Sequence, residues 1–326
     1  MYNTPAQSPN YEAAEKKAKS AVSHFWQQHS AINSGRHRRL VGHGHQMTAD
    51  ILFGKAVDLD EGKKKFGSLP VERSGIGANE VSEMVDFSSL SDVIPSFIYS
   101  NIQRMGFVLP SPIQRHAIPF SLAGNDLMCC SQTGSGKTLC YLLPIIAGLC
   151  IGENGFGEFG GERFCLVDPR GCLPRACVLA PTRELATQIG FEAMKLSYGS
   201  NLRTVVVTGG NEMRPQLTEL VNGADLIVAT PGRLADYVER GVVSLAHVFY
   251  FVLDEADRML DLGFEPQIRR LVSEFDMPRR SARQACFFSA TFPHSIQTLA
   301  GEFLKDGYIW IGVGRVGSTV ENIKQV

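Results

Sequence analysis

The chain has 326 residues, 44% of them apolar, enough for one large domain or two small ones with a sizeable core. A formal net charge of -1 neither supports nor excludes a polyanionic partner, because a local basic face is enough to bind one. Eight cysteines, at 129, 130, 140, 150, 165, 172, 177 and 286, form no CxxC pair and complete no zinc template with the histidines, so they read as reduced thiols of a cytosolic or nuclear protein.

The opening stretch, "MYNTPAQSPNYEAAEKKAKS", lacks the apolar core of a secretory signal. Residues 1–80 are rich in Gln, Ser and Asn and hold five of the eight histidines, with small charge clusters and few periodic apolar segments. This composition predicts a mostly disordered tail. Within it, "RHRRLVGHGH" reads as a solvated segment in preference to a metal or RNA site, because its spacing fits no template.

From about Met84 the texture changes, and residues 81–326 read as one domain. Short apolar runs predict strands at 126–130, 176–180, 204–207, 225–229, 250–254, 285–289 and 308–312. None alternates, as expected of strands buried on both faces. Helices are expected at 182–198, 214–221, 264–275 and 293–305. This alternation predicts an α/β fold, a mostly parallel central sheet with helices on both faces. The glycine-rich insertion at 151–172 reads as a mobile loop. The longest nearly apolar run, Leu139 to Ile151, is too short to span a bilayer, so no membrane partner is expected.

"SQTGSGKT" (131–138) follows the first of these strands and starts a helix. Gly134 and Gly136 are expected to take positive φ and let the backbone approach an anion. The N–H groups of Ser131, Gln132, Thr133, Gly134, Ser135 and Gly136 would then cradle phosphates at a helix N-terminus. Lys137 would reach the terminal phosphates, and the Thr138 hydroxyl would ligate Mg²⁺. Ser131 stands where the P-loop pattern has its first glycine, a departure that leaves the cradle at 134–138 intact. The helix that follows, "LCYLLPIIAGL", is apolar all round and should be buried, with a kink at Pro144. Such a loop by itself says only that a nucleoside triphosphate is bound.

"YFVLDEADRML" puts Asp254 and Glu255 at the end of an apolar strand, the end at which parallel sheets bind ligands. Asp254 would hold Mg²⁺ through water opposite Thr138, and Glu255 would accept a proton from an attacking water. Taken alone, the pair reads equally well as a helix cap plus a surface charge. Beside the P-loop, the catalytic reading is favoured.

The residues 254–257 spell DEAD, and the sequence resembles a DEAD-box RNA helicase. In family order it carries "GFVLPSPIQ" (106–114), "SQTGSGKT", "PTRELATQ" (181–188), Gly209-Gly210, "TPGRL" (230–234), "DEAD" and "SAT" (289–291). The resemblance is dense over 85–326 and thinner at "SLPVERSG" (68–75). "LDEADRMLDLGFEPQIRR", "FFSATFP" and the closing "VGRVGSTVENIKQV" look like the Vasa and Belle branch, whose members remodel RNA–protein complexes in translation initiation or germ-line RNA control.

The resemblance implies a RecA-like P-loop domain that binds ATP and Mg²⁺. It implies that Gln114 reads the adenine edge, that Phe107 stacks on the ring, and that Phe87 is the upstream aromatic, two residues farther from Gly106 than is usual. Lys137, Thr138, Asp254 and Glu255 take the phosphoryl-transfer roles. Ser289 and Thr291, with Asp257, couple hydrolysis to domain movement. Pro181, Thr182, Arg183, Gly210, Thr230, Gly232 and Arg233 grip the RNA backbone without reading bases. "TPGRL" also places a Thr cap and a Pro at the start of a helix.

The family's second RecA-like domain is expected after "ENIKQV", bringing arginines of a kind worth on the order of 10³–10⁵ in rate in related enzymes. Residues 1–326 by themselves are therefore expected to bind ATP with little turnover. The implied partners are RNA, that second domain, and translation-initiation or ribonucleoprotein components. The implied location is the cytoplasm, with presence in the nucleus or in ribonucleoprotein granules. A non-catalytic one-domain module that holds nucleotide or RNA is the competing reading. "GFVLPSPIQ" and "SAT" argue against another P-loop enzyme such as a kinase or transporter ATPase.

Overall fold

A computed structural model describes residues 49–53, 69–151, 167–168 and 171–314. Most of the predicted tail, with "RHRRLVGHGH", lies outside the described residues, as do most of the 151–172 insertion and all of the chain beyond Gly314.

All seven predicted strands form, because short β-branched and apolar runs can be buried only if their backbone groups pair with one another. They are β2 (Leu127–Cys130), β5 (Ala176–Leu179), β6 (Thr204–Val207), β7 (Leu226–Ala229), β8 (Tyr250–Leu253), β9 (Gln284–Ser289) and β10 (Ile309–Val313). An eighth strand, β1 (Val71–Ser74), completes a sheet of order β1-β10-β2-β9-β8-β5-β7-β6. Every pairing is parallel except β1 against β10, with Val71 opposite Val313. A separate two-residue pair, β3 (Val167–Asp168) with β4 (Gly171–Cys172), stands apart from it.

Two corrections follow from position in the sheet. β1, "VERS", escaped the apolar-run criterion because it is an edge strand that alternates half-buried and exposed. β6 forms the other edge, and it alternates too: Val205 and Val207 are buried while Thr204 and Val206 are half-covered. The expectation that no strand alternates therefore holds for the centre and fails at the edge.

Helices cover both faces. They are α1 (Ala49–Phe53), α2 (Ser96–Arg104), α3 (Pro112–Leu122), α4 (Lys137–Ile151), α5 (Arg183–Leu196), α6 (Met213–Val221), α7 (Pro231–Glu239), α8 (Ala256–Asp261), α9 (Glu265–Arg269) and α10 (His294–Phe303). Leu127 and Cys129 pack on one side with Ile98, Ile113, Leu142 and Ile189. Met128 and Cys130 face the other side with Leu220, Leu234, Met259 and Leu299. Alternate residues of one strand thus serve two cores, which is why neither side of the strand can be polar. Helix α4 runs through Pro144 without ending. The helix expected at 264–275 instead gives way after Arg269 to a wider turn, Arg270–Glu274, closed by the Phe275 N–H on the Arg270 carbonyl at 3.1 Å.

Candidate active site

Parallel strands end on the same side, so the loops after them form one edge. The loops after β2, β8 and β9 carry 131–138, 254–257 and 289–291. Those after β5, β6 and β7 carry 181–183, Gly209-Gly210 and 230–233. In the sheet order, β2, β9 and β8 are neighbours, and so are β5, β7 and β6. The edge therefore has two adjoining halves, with β8 next to β5.

In the first half the backbone bends as expected: Gly134 has φ 74° and Gly136 has φ 86°. A Cβ on Gly134 would meet nothing within 4 Å, so this bend is open on its outer side. Gln132, Thr133 and Gly134 are exposed, and Ser135 is buried. Ser131, at the place of the first glycine, puts its hydroxyl 2.8 Å from that of Ser135, so the departure from the pattern is absorbed inside the loop. Lys137 is buried, and its ammonium donates to the carbonyls of Ser131 at 2.7 Å and Gln132 at 3.4 Å. Among the described residues its hydrogen bonds go only to neutral carbonyl oxygens, which suits it to exchange them for phosphate.

Gln114 is 2% exposed and closes a capping box at the start of α3. Its Oε1 accepts from the Ser111 N–H at 2.9 Å, and its Nε2 donates to the Gly136 carbonyl at 3.0 Å. The amide therefore ties α3 to the phosphate loop and keeps one N–H and one lone pair in reserve, the donor and acceptor that an adenine edge needs. Phe107 is half-buried, and the Phe87 ring lies behind it at 6.2 Å between centroids and 61°. Phe87 itself is 3% exposed, in a one-turn segment capped by Asp86, so it supports Phe107 from the core.

Asp254 is 3% exposed. Burial pushes its carboxyl above the ordinary range, and the Tyr141 hydroxyl and the Lys137 charge oppose that rise. Tyr141 Oη donates to Asp254 Oδ2 at 2.7 Å, and the Glu255 N–H donates to Oδ1 at 2.9 Å. Glu255 has φ 50° and ψ 53° and is the one non-glycine with positive φ among the described residues. Such a conformation costs about 1–3 kcal/mol and concentrates at functional sites. Asp257 Oδ2 accepts from the Thr291 N–H (3.0 Å), the Thr291 hydroxyl (2.8 Å) and the Ala290 N–H (3.2 Å). Ser289 is fully buried and its hydroxyl has no hydrogen-bond partner among the described residues.

This donor set fits Mg²⁺ in a particular way. No group of three or more His, Cys, Asp or Glu among the described residues could hold a metal ion by itself. A carboxylate has about four lone-pair sites, and Asp254 has spent two on Tyr141 and Glu255. The rest, with the half-buried Thr138, suit a cation that keeps waters and shares phosphate oxygens.

In the second half, Thr182 caps α5, its Oγ1 accepting from the Leu185 N–H at 3.2 Å. Pro181 beside it is buried, and Arg183 is exposed. Gly210, with φ 73°, lies so close under Arg183 that a Cβ there would stand 2.8 Å from Nη1. Arg233 lies over the Tyr237 ring at 5.5 Å and donates to the Asn211 carbonyl at 3.4 Å. Gly232 faces open space. Thr230 occupies the cap position of α7, but its hydroxyl accepts from the Gly209 N–H at 3.2 Å and makes no bond to its own helix. The threonine expected both to grip RNA and to cap α7 joins two loops and leaves its own helix uncapped by its hydroxyl, because β6 and β7 are adjacent.

Two contributors were missed by sequence reasoning. Tyr141 lies within an apolar run that hides it, although it stands four residues after Lys137 and so on the same helix face. Tyr237 shares a face with Arg233 for the same reason.

A model of the DEAD/DEAH box helicase family matches residues 111–299. The chain is 50% identical over 278 residues to the DEAD-box ATP-dependent RNA helicase 52A of Oryza sativa subsp. japonica, covering 85% of this chain and 45% of that protein. It is also similar in structure to a DEAD box protein from the hyperthermophile Methanococcus jannaschii. That match has a TM-score of 0.58 and 32% identity, and covers 71% of this chain and 56% of the other. The chain thus spans about half the length of the relatives it matches.

Proposed function

The chain belongs to the DEAD/DEAH box helicase family, and from that premise we propose that it binds Mg²⁺ and ATP through the β2–β9–β8 half of its edge and RNA backbone through the β5–β7–β6 half. In this reading it is the nucleotide-binding part of an RNA-remodelling ATPase. The observation that carries it is the Tyr141–Asp254 bond, which joins the phosphate-loop helix to the DEAD strand in one buried contact.

Mg²⁺ and ATP together would supply the reactive phosphoryl group and neutralise much of its charge. Lys137 and the N–H groups at the start of α4 hold the terminal phosphates. Asp254, with Thr138, would hold a hydrated Mg²⁺ shared with the phosphates. Glu255, held in its strained conformation, orients the attacking water and takes its proton. Gln114 and Phe107 select adenine. Thr182, Arg183, Gly210, Thr230, Gly232 and Arg233 bind phosphates on the adjoining half with little sequence preference. The strings at 253–270, 287–293 and 313–326 favour a Vasa/Belle-like member acting on cytoplasmic mRNA, in translation or its control. A second RecA-like domain supplies the arginines that stabilise the transition state.

The test is phosphate release from ATP by residues 1–326, with and without RNA, with and without a second RecA-like domain joined on its linker. Binding of ATP with hardly any turnover is expected from 1–326, RNA-stimulated turnover from the joined form, and no turnover from the joined Lys137→Ala variant. Robust RNA-stimulated turnover by 1–326 would overturn the two-domain mechanism. No turnover by the joined form would favour the non-catalytic module.

A further inference from the structure

The roles above give no task to a buried hydroxyl that is bonded to the DEAD strand. Tyr141 is 1% exposed and sits in a helix that is otherwise apolar from Leu139 to Ile146. Its ring packs against Phe288 of β9 at 5.1 Å between centroids and 56°. A phenylalanine would fill that space without burying a hydroxyl, and a buried hydroxyl is costly unless it is bonded. The Tyr141 hydroxyl donates to Asp254 Oδ2 and accepts from the Thr138 side chain, and the Glu255 N–H occupies Oδ1.

The terminal torsion of an aspartate is broad, so a carboxylate held through one oxygen can still turn. With a donor on each oxygen, from the rigid helix α4 and from the backbone after β8, it cannot. The lone pairs left over then point in one fixed set of directions. We propose that Tyr141 is a positioning residue, which sets the rotation of the Asp254 carboxylate so that a hydrated Mg²⁺ shared with the nucleotide finds its acceptors already placed. This rests on the reading of Asp254 as the partner of Mg²⁺. Tyr141 acts through Asp254 and needs no contact with nucleotide or metal.

The test measures binding of a non-hydrolysable ATP analogue to the 326-residue chain by calorimetry while Mg²⁺ is titrated. Loss of a group that orients a metal partner typically costs about 10–100-fold in metal affinity. Tyr141→Phe is therefore expected to raise the Mg²⁺ midpoint by about tenfold or more, and to leave affinity for the analogue without Mg²⁺ as in the unaltered chain. An unchanged midpoint overturns the proposal. So does an equal loss of affinity with and without Mg²⁺, which would show that Tyr141 only packs the loop. Asp254→Asn separates this inference from the reading beneath it. If the Asn variant keeps the Mg²⁺ dependence, the assignment of Asp254 fails and Tyr141 falls with it. If the Asn variant loses the dependence and Tyr141→Phe keeps it, only the inference about Tyr141 fails.

Discussion

Asp257 and Thr291 are joined twice through one oxygen: the Thr291 N–H and hydroxyl both donate to Asp257 Oδ2, at 3.0 and 2.8 Å. The Ala290 N–H adds a third donor at 3.2 Å, so the end of "DEAD" and the end of "SAT" form one piece although they lie on different strands. Thr291→Ala removes one of these bonds and should cost about 0.5–1.5 kcal/mol of stability. Asp257→Ala removes all three bonds at once, at groups that water can reach, and should cost more than Thr291→Ala. Denaturant unfolding of the two variants ranks them; a Thr291→Ala variant as unstable as Asp257→Ala would contradict the shared-acceptor geometry.

Gly136 faces two obstacles to substitution and Gly134 only one. Both need left-handed backbone, worth roughly 1–2 kcal/mol for a residue with a Cβ. At Gly136 the Cβ would also stand 2.6 Å from Gln114 Nε2, while at Gly134 it meets nothing. Gly136→Ala is expected to lower the melting temperature more than Gly134→Ala. Adding Gln114→Ala to Gly136→Ala should recover part of the loss, a coupling that a double-mutant cycle reads directly. Additive effects would show that the two residues do not press on each other.

Burial raises the Asp254 carboxyl above its ordinary 3.8, so the folded chain holds that proton more tightly than the unfolded chain. Stability from this group is therefore greatest below the ordinary value and falls as pH rises through the folded one. Near neutral pH the ionised carboxylate opposes folding. Asp254→Asn should then melt at a higher temperature than the unaltered chain at about pH 7, and the gain should shrink towards about pH 4. A lower melting temperature for the Asn variant at neutral pH would show that the Tyr141 bond and the Lys137 charge outweigh desolvation.

Six buried thiols should be inert while the fold holds. Burial pushes Cys130, Cys172, Cys177 and Cys286 up to about 12, and Cys129 and Cys140 are raised as well. The thiolate is the reactive form, so little of it exists near pH 8. Cys150, half-buried at the end of α4, should be alkylated before those six, which react only on unfolding. Peptide mass spectrometry after brief iodoacetamide treatment checks the order, and early labelling of Cys129 or Cys286 would contradict it.

Strand centres were legible in the sequence because a residue buried on both faces must be apolar whatever its neighbours are. β2, β5 and β7 announced themselves in that way. β1 did not, since an edge strand covered on one face carries Glu72 and Arg73 without penalty. The phosphate loop was legible for a similar local reason: Gly134 and Gly136 are read from the positive φ that their bend demands, a property of the residue type alone.

What the chain order by itself determined is thus the set of strands, the bend between β2 and α4, and the acidic pair at the end of β8. Each depends on backbone conformation or one-dimensional burial. Which side chains meet was decided only by the sheet order, which sets loops 131–138, 254–257 and 289–291 side by side. Tyr141 and Asp254 lie 113 positions apart, Thr230 and Gly209 lie 21 apart, and Gln114 and Gly136 lie 22 apart. No periodicity records such distances, because a hydrogen bond between loops is specified by the order in which strands pair. Thr230 and Gly209, at the same spacing, would miss one another if β6 and β7 were not neighbours.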